Sequence, residues 1–96
     1  MILVRQEIGE VLRERRLDLG LSLREVAGAS AVSFGYLSEL ERGTKEASSE
    51  ILGALTAALD LTLSGLLETV AERVGRAERM SAPVPLPLAE SRVHAA

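Results

Sequence analysis

The sequence predicts an all-α domain of five helices, with an extended fifth helix and a C-terminal tail. Three observations predict it. Hydrophobic residues make up 47% of the 96-residue chain, with one Phe, one Tyr and no Trp. That is an aliphatic core of Leu, Ala and Val, the kind helices build. No alternating β-branched run marks a strand. Serine caps and glycine stops punctuate apolar positions that recur at helical spacing.

The first helix covers about residues 5–19, turns Ile8, Val11 and Leu12 inward, and stops at Gly20. Ser22 caps the second helix, and Glu25 three residues on completes a capping box. Leu23, Val26 and Ala27 are its apolar positions. Small residues at 29–32 make a bend. Ser33 caps the third helix, Tyr36, Leu37 and Leu40 form its buried side, and Gly43 ends it. Helices this short do not persist alone in water, so both need partners. After a loop over 43–47, Ser48 or Ser49 caps the fourth helix, with Glu50 in its electropositive first turn. Ile51, Leu52, Leu55, Ala58 and Leu59 are its apolar stripe. Asp60-Leu61-Thr62 turns the chain, and Thr62 or Ser64 caps the fifth helix. Its Leu63, Leu66 and Leu67 face the core, and the pattern continues through Val70, Val74 and Ala77 to about Arg79. Pro83, Pro85 and Pro87 then alternate, which excludes a helix and implies an extended tail. The chain thus divides into a domain over 5–68, an extension of the fifth helix over 69–80, and a tail over 81–96.

Composition excludes several function classes. No apolar run approaches the roughly 20 residues of a membrane helix. Residues 1–4 are too short for a signal peptide before charge begins. There is no cysteine, and the one histidine, His94, lies in the tail, so neither a metal site nor a catalytic triad is expected. No phosphate-binding glycine loop is present. We therefore expect no enzyme, no cofactor, no membrane partner and a cytoplasmic location. Net charge is −3, which argues mildly against a nucleic-acid partner. Residues 1–45 are balanced, however, and the acidic surplus lies after them.

The capped, bend-joined pair of helices is the pattern of a DNA-reading helix-turn-helix, whose second member enters the major groove N-terminal end first. Double-stranded DNA is then the partner. Expected base-reading positions are Ser33, Phe34, Gly35, Ser38 and Glu39. The apolar side of the third helix is already filled, so Phe34 points outward, where thymine methyls are suitable partners. Gly35 permits close approach, Ser38 can bind a base or a phosphate, and Glu39 can accept from a cytosine amino group. The plainer alternatives are that Phe34 folds back onto the second helix and that Glu39 is a solvated charge. Arg24, Arg42, Lys45 and Arg13 are the expected phosphate contacts, with Arg5 behind them. The stripe Leu66, Leu67, Val70, Val74 and Ala77 runs past the domain end and is the expected seam of a two-fold dimer. The alternative is that it packs on its own first helix.

The chain resembles the XRE family of Cro/cI-type helix-turn-helix domains. The resemblance rests on Leu12-Arg13, Arg16, Gly20-Leu21-Ser22, Val26-Ala27, Val32-Ser33, Leu37-Ser38, Glu41 and Gly43, then on Ser48, Leu52, Leu55, Ala58 and Leu59. It implies a lambda-repressor-like DNA-binding fold and an ion pair between Arg16 and Glu41 that locks two helices. Leu23, Ala31 and Ala47 depart from the family's usual Gln, Gly and Pro. A narrower resemblance, carried by residues 23–26, 32–39 and 41–50, is to the Clp gene regulators. It implies a nucleoid-associated bacterial activator of Clp protease and stress genes that touches RNA polymerase. Ala95-Ala96 resembles the tags that Clp proteases recognise, so Clp protease is a further expected partner. Two rival readings stay open. One is a repressor, restriction controller or antitoxin of the same fold. The other is a helical interaction module without DNA binding, which the negative charge and Leu23 favour.

Overall fold

Local capping sets where each helix begins. The computed structural model describes residues 1–81, which form α1 (Val4–Asp18), α2 (Leu23–Ser30), α3 (Phe34–Glu41), α4 (Ser49–Ala58) and α5 (Leu63–Ser81). At α2 the Glu25 amide donates to Ser22 Oγ at 3.0 Å, and the Ser22 amide donates to the Glu25 carboxylate at 2.8 Å. The Ser22 amide first, and its side chain second, hold the Glu25 carboxyl below the ordinary carboxylate range. The Tyr36 amide donates to Ser33 Oγ at 3.2 Å, and the Ile51 amide to Ser48 Oγ at 3.2 Å. Gly65 donates to Thr62 Oγ1 at 3.0 Å, so Ser48 and Thr62, not Ser49 and Ser64, cap α4 and α5.

Glycines end α1 and α3 with φ of +71° at Gly20 and +78° at Gly43. The bend after α2 uses Ala31 at φ 57°, in the left-handed region, and Val32 donates back to the Ala27 carbonyl at 3.2 Å.

Every helix or its flank contributes to one core of Val11, Leu12, Val26, Ala27, Leu37, Leu40, Leu55, Leu59, Leu66 and Val70. No helix can be removed without opening it. α1 packs against both α3 and α5. The close approach to α3 needs Gly9, where a Cβ would stand 2.3 Å from the Leu40 carbonyl oxygen.

Polar side chains tie the outer helices to α1. Arg73 of α5 reaches Glu7 at 3.1 Å, Glu10 at 2.8 Å and Glu14 at 3.1 Å. Those carboxylates lie on one face of α1 at helical spacing, and they raise the Arg73 pKa, Glu7 most of all. Arg15 donates to the carbonyls of Leu59 at 2.9 Å and Asp60 at 3.1 Å, closing the C-terminal end of α4.

α5 differs from expectation on two faces. Leu63 and Leu67 do not face the core; they are 40% and 49% exposed. Leu66 and Val70, expected at a seam between copies, are 0% and 5% exposed within a single protomer. The cause is rotation. α5 packs against α1, Leu66 and Val70 enter the core with Val74 partly buried against it, and among the described residues nothing covers the adjacent face. Ala77 is half-buried. α5 also takes in Ser81, the first residue of the expected tail. The rest of that tail, with His94, Ala95 and Ala96, lies outside the described residues. No single helix among the described residues is long and apolar enough to cross a membrane.

Candidate nucleic-acid interface

Leu37 and Leu40 anchor α3 to the core, each 1% exposed. The half-buried Tyr36 fixes its flank, its hydroxyl donating to the Glu46 carbonyl. That anchoring leaves the opening turn free: Ser33, Phe34 and Gly35 are all exposed. Around Gly35 the space is open, with nothing within 4 Å of where a Cβ would stand.

Phe34 is 41% exposed, and the guanidinium carbon of Arg24, from α2, stands 4.5 Å from its ring centroid. The ring therefore points outward and is capped by α2 on one face. The ring thus touches α2, as the plainer alternative held, and still stays exposed. Ser38 and Glu39, also expected to read bases, are half-buried in the second turn of α3, whose end meets Gly9 of α1. Ser38 Oγ accepts from Arg42 at 3.0 Å. The Glu39 carbonyl accepts from the Thr44 amide and hydroxyl, both at 3.1 Å.

Glu10, Arg13, Ser38, Glu41 and Arg42 line an open cleft of about 420 Å³ between α1 and α3. It brings Arg13 and Arg42 to one face, and Lys45 in the following loop is exposed. Arg5 is differently employed. It donates to the Gly43 carbonyl at 3.0 Å and so holds the end of α3. Beneath the cleft Arg16 and Glu41 meet in a two-pronged pair of 2.8 and 2.9 Å. Their side chains are 12% and 7% exposed. Arg16 also donates to the Leu21 carbonyl at 3.0 Å, and its bond to Glu41 raises its pKa. This fork joins α1, the loop before α2 and the end of α3, and so sets how α3 is presented.

The charge balance now has a spatial explanation. Glu7, Glu10 and Glu14 are held by Arg73, Glu41 by Arg16, and Glu25 lies in a helix cap. Of the acids in residues 1–45, only Asp18 and Glu39 are left unengaged among the described residues. Arg13, Arg24, Arg42 and Lys45 form no ion pair among those residues. A chain of net charge −3 thus still presents the unpaired cations Arg24 and Arg42 at α3, with Lys45 and Glu46 exposed in the loop that follows. Arg73 was missed from sequence, although the Glu7, Glu10, Glu14 spacing was a readable sign of a cation between them. No three acidic or histidine side chains among the described residues converge on a metal position.

Known proteins share this fold. The helix-turn-helix family matches residues 12–66. The transcriptional regulator ClgR of Mycobacterium tuberculosis is 51% identical over 83 residues, covering 86% of this chain and 74% of that protein. The crystal structure of the clp gene regulator ClgR from C. glutamicum superimposes with a TM-score of 0.70 at 49% identity, covering 74% of this chain and 91% of that one. The restriction-modification controller protein C.AhdI from Aeromonas hydrophila gives a TM-score of 0.63 at 32% identity, over 65% of this chain and 94% of that one. The family and these relatives are regulators, not enzymes. The chain belongs to the XRE-type helix-turn-helix family of DNA-binding transcriptional regulators, within its ClgR group.

Proposed function

We propose that two copies of this chain bind an inverted repeat and activate Clp protease and stress genes in the bacterial cytoplasm. One observation carries the reading: the opening turn of α3 is anchored from beneath yet free outside, with unpaired cations on both sides. In the major groove, Phe34 meets thymine methyls and Gly35 lets the backbone approach. Ser33, Ser38 and Glu39 line the same helix. Arg13, Arg42 and Lys45 contact phosphates and fix the register. Two-fold pairing uses the exposed Leu63 and Leu67 of α5, with Ala77 further along, while Leu66 and Val70 support it from within. Activation requires contact with RNA polymerase. Recognition of Ala95 and Ala96 by Clp protease would limit the regulator's lifetime. The names of the ClgR relatives support the gene targets. The likeness to a restriction-modification controller supports a second reading, a repressor on the same fold.

The test is a binding titration against salt on the best duplex recovered from a random pool. Arg42→Ala should weaken binding to all sequences and reduce the log–log salt slope by about 1. An unchanged slope removes the phosphate role. A reporter fused to the same duplex separates the two readings: expression that rises with the protein marks an activator, and expression that falls marks a repressor.

A further inference from the structure

The stack of Arg24 on Phe34 joins two residues from different helices, and neither helix alone accounts for it. Arg24 is the one cation of α2. Its guanidinium lies over the Phe34 ring at 4.5 Å and has no hydrogen-bond partner among the described residues, so all its donors are available. The neighbouring α2 position, Leu23, is half-buried against the core and offers no polar atom. An arginine meant only for phosphate needs no fixed orientation. This one stands over a ring in the opening turn of α3, 4.5 Å from its centroid.

We infer that Arg24 and Phe34 together form a base-reading plate, with Arg24 reading a guanine and Phe34 covering the C5 edge of the adjacent pyrimidine. The inference rests on the groove-reading assignment above and moves Arg24 from the phosphate backbone to a base. Its logic is geometric. Successive bases on one strand are about 3.4 Å apart along the helix axis. Two planar groups 4.5 Å apart are close enough to reach two neighbouring base pairs. The planar fork of arginine matches guanine O6 and N7, the commonest specific contact in the major groove. The edge of an aromatic ring matches the apolar C5 side of a pyrimidine, thymine giving the larger contact through its methyl group. Stacking also spares the guanidinium the entropy of being ordered at the moment of binding.

The experiment uses the full chain and the highest-affinity duplex from a random-pool selection, read by fluorescence anisotropy. The recovered motif should hold a guanine next to a pyrimidine in each half-site. Replacing that guanine by 7-deazaguanine, which lacks N7, should weaken wild-type binding about tenfold. Arg24→Ala and Phe34→Ala should each weaken binding similarly and make the protein indifferent to the 7-deaza change. Arg24→Lys, which keeps the charge but not the fork, should not restore discrimination, and the salt slope should stay unchanged. The inference is overturned if the motif lacks such a guanine. It is also overturned if Arg24→Ala weakens selected and random duplexes by one factor with a shallower salt slope, since that is phosphate behaviour. Absence of any duplex preference in the wild-type protein defeats the groove-reading assignment itself, and that outcome is seen before any variant is made.

Discussion

Ala31 sits at φ 57°, a backbone conformation that costs an L side chain roughly 1–2 kcal/mol. Glycine there removes that cost but frees the unfolded chain, which takes back about 0.4–1 kcal/mol. The first effect is larger. Ala31→Gly should therefore stabilise the domain by about 0.5–1 kcal/mol, seen as a higher thermal midpoint. A lower midpoint would mean that the Ala31 methyl contributes packing the backbone angle does not reveal. Arg16 and Glu41 show the opposite balance. Their forked contact, 12% and 7% exposed, leaves a nearly dry charge if one partner goes. Glu41→Ala should cost about 3 kcal/mol in a denaturant titration, whereas apolar replacement of both partners should cost much less. Spacing alone did not reveal this pair, because its members are 25 residues apart; only the family pattern joined them. The Ser22 and Ser33 caps were legible for the converse reason. A cap is complete within four residues, so its signal is local.

Among the elements, α1 and α3 touch backbone to backbone. A Cβ at Gly9 would lie 2.3 Å from the Leu40 carbonyl and 2.8 Å from the Glu41 carbonyl. Alanine favours a helix over glycine by about 1 kcal/mol, but rigid backbone on the far side cannot yield. Gly9→Ala should be net destabilising by about 1–3 kcal/mol, measured by chemical denaturation, and should weaken DNA binding by displacing α3. Greater stability in that variant would show that α1 can move away freely. Helix existence was readable from sequence throughout, since apolar periodicity and stops are properties of the single element. Which face of α5 meets α1 was not readable. Leu63, Leu66, Leu67 and Val70 are all apolar, and only the position of α1 divides them into buried and exposed pairs. The Arg73 clamp on three α1 carboxylates was missed for the same reason: its two halves lie on distant segments.

At the scale of the whole molecule, the described residues sort charge and apolar surface to different places. Acids of α1 converge on Arg73, unpaired Arg24 and Arg42 stand at α3, and Leu63 and Leu67 are exposed on α5. Net charge counted from sequence could not show this separation, because it depends on which carboxylates are already engaged. If Leu67 belongs to a seam between copies, Leu67→Asp should give a folded monomer in sedimentation. Leu66→Asp, at 0% exposure, should instead unfold the protomer. A dimer that persists in Leu67→Asp would place the seam elsewhere. The most direct measurement of the central claim is selection of bound duplexes from a random pool by the wild-type chain and by Phe34→Ala. We predict a palindromic motif with half-sites one helical turn or a multiple of it apart, about 34 Å per turn. The variant should lose that motif while still holding DNA weakly. An unenriched pool in dilute buffer, or the same motif recovered by both proteins, would contradict the assignment of the α3 opening turn to base pairs.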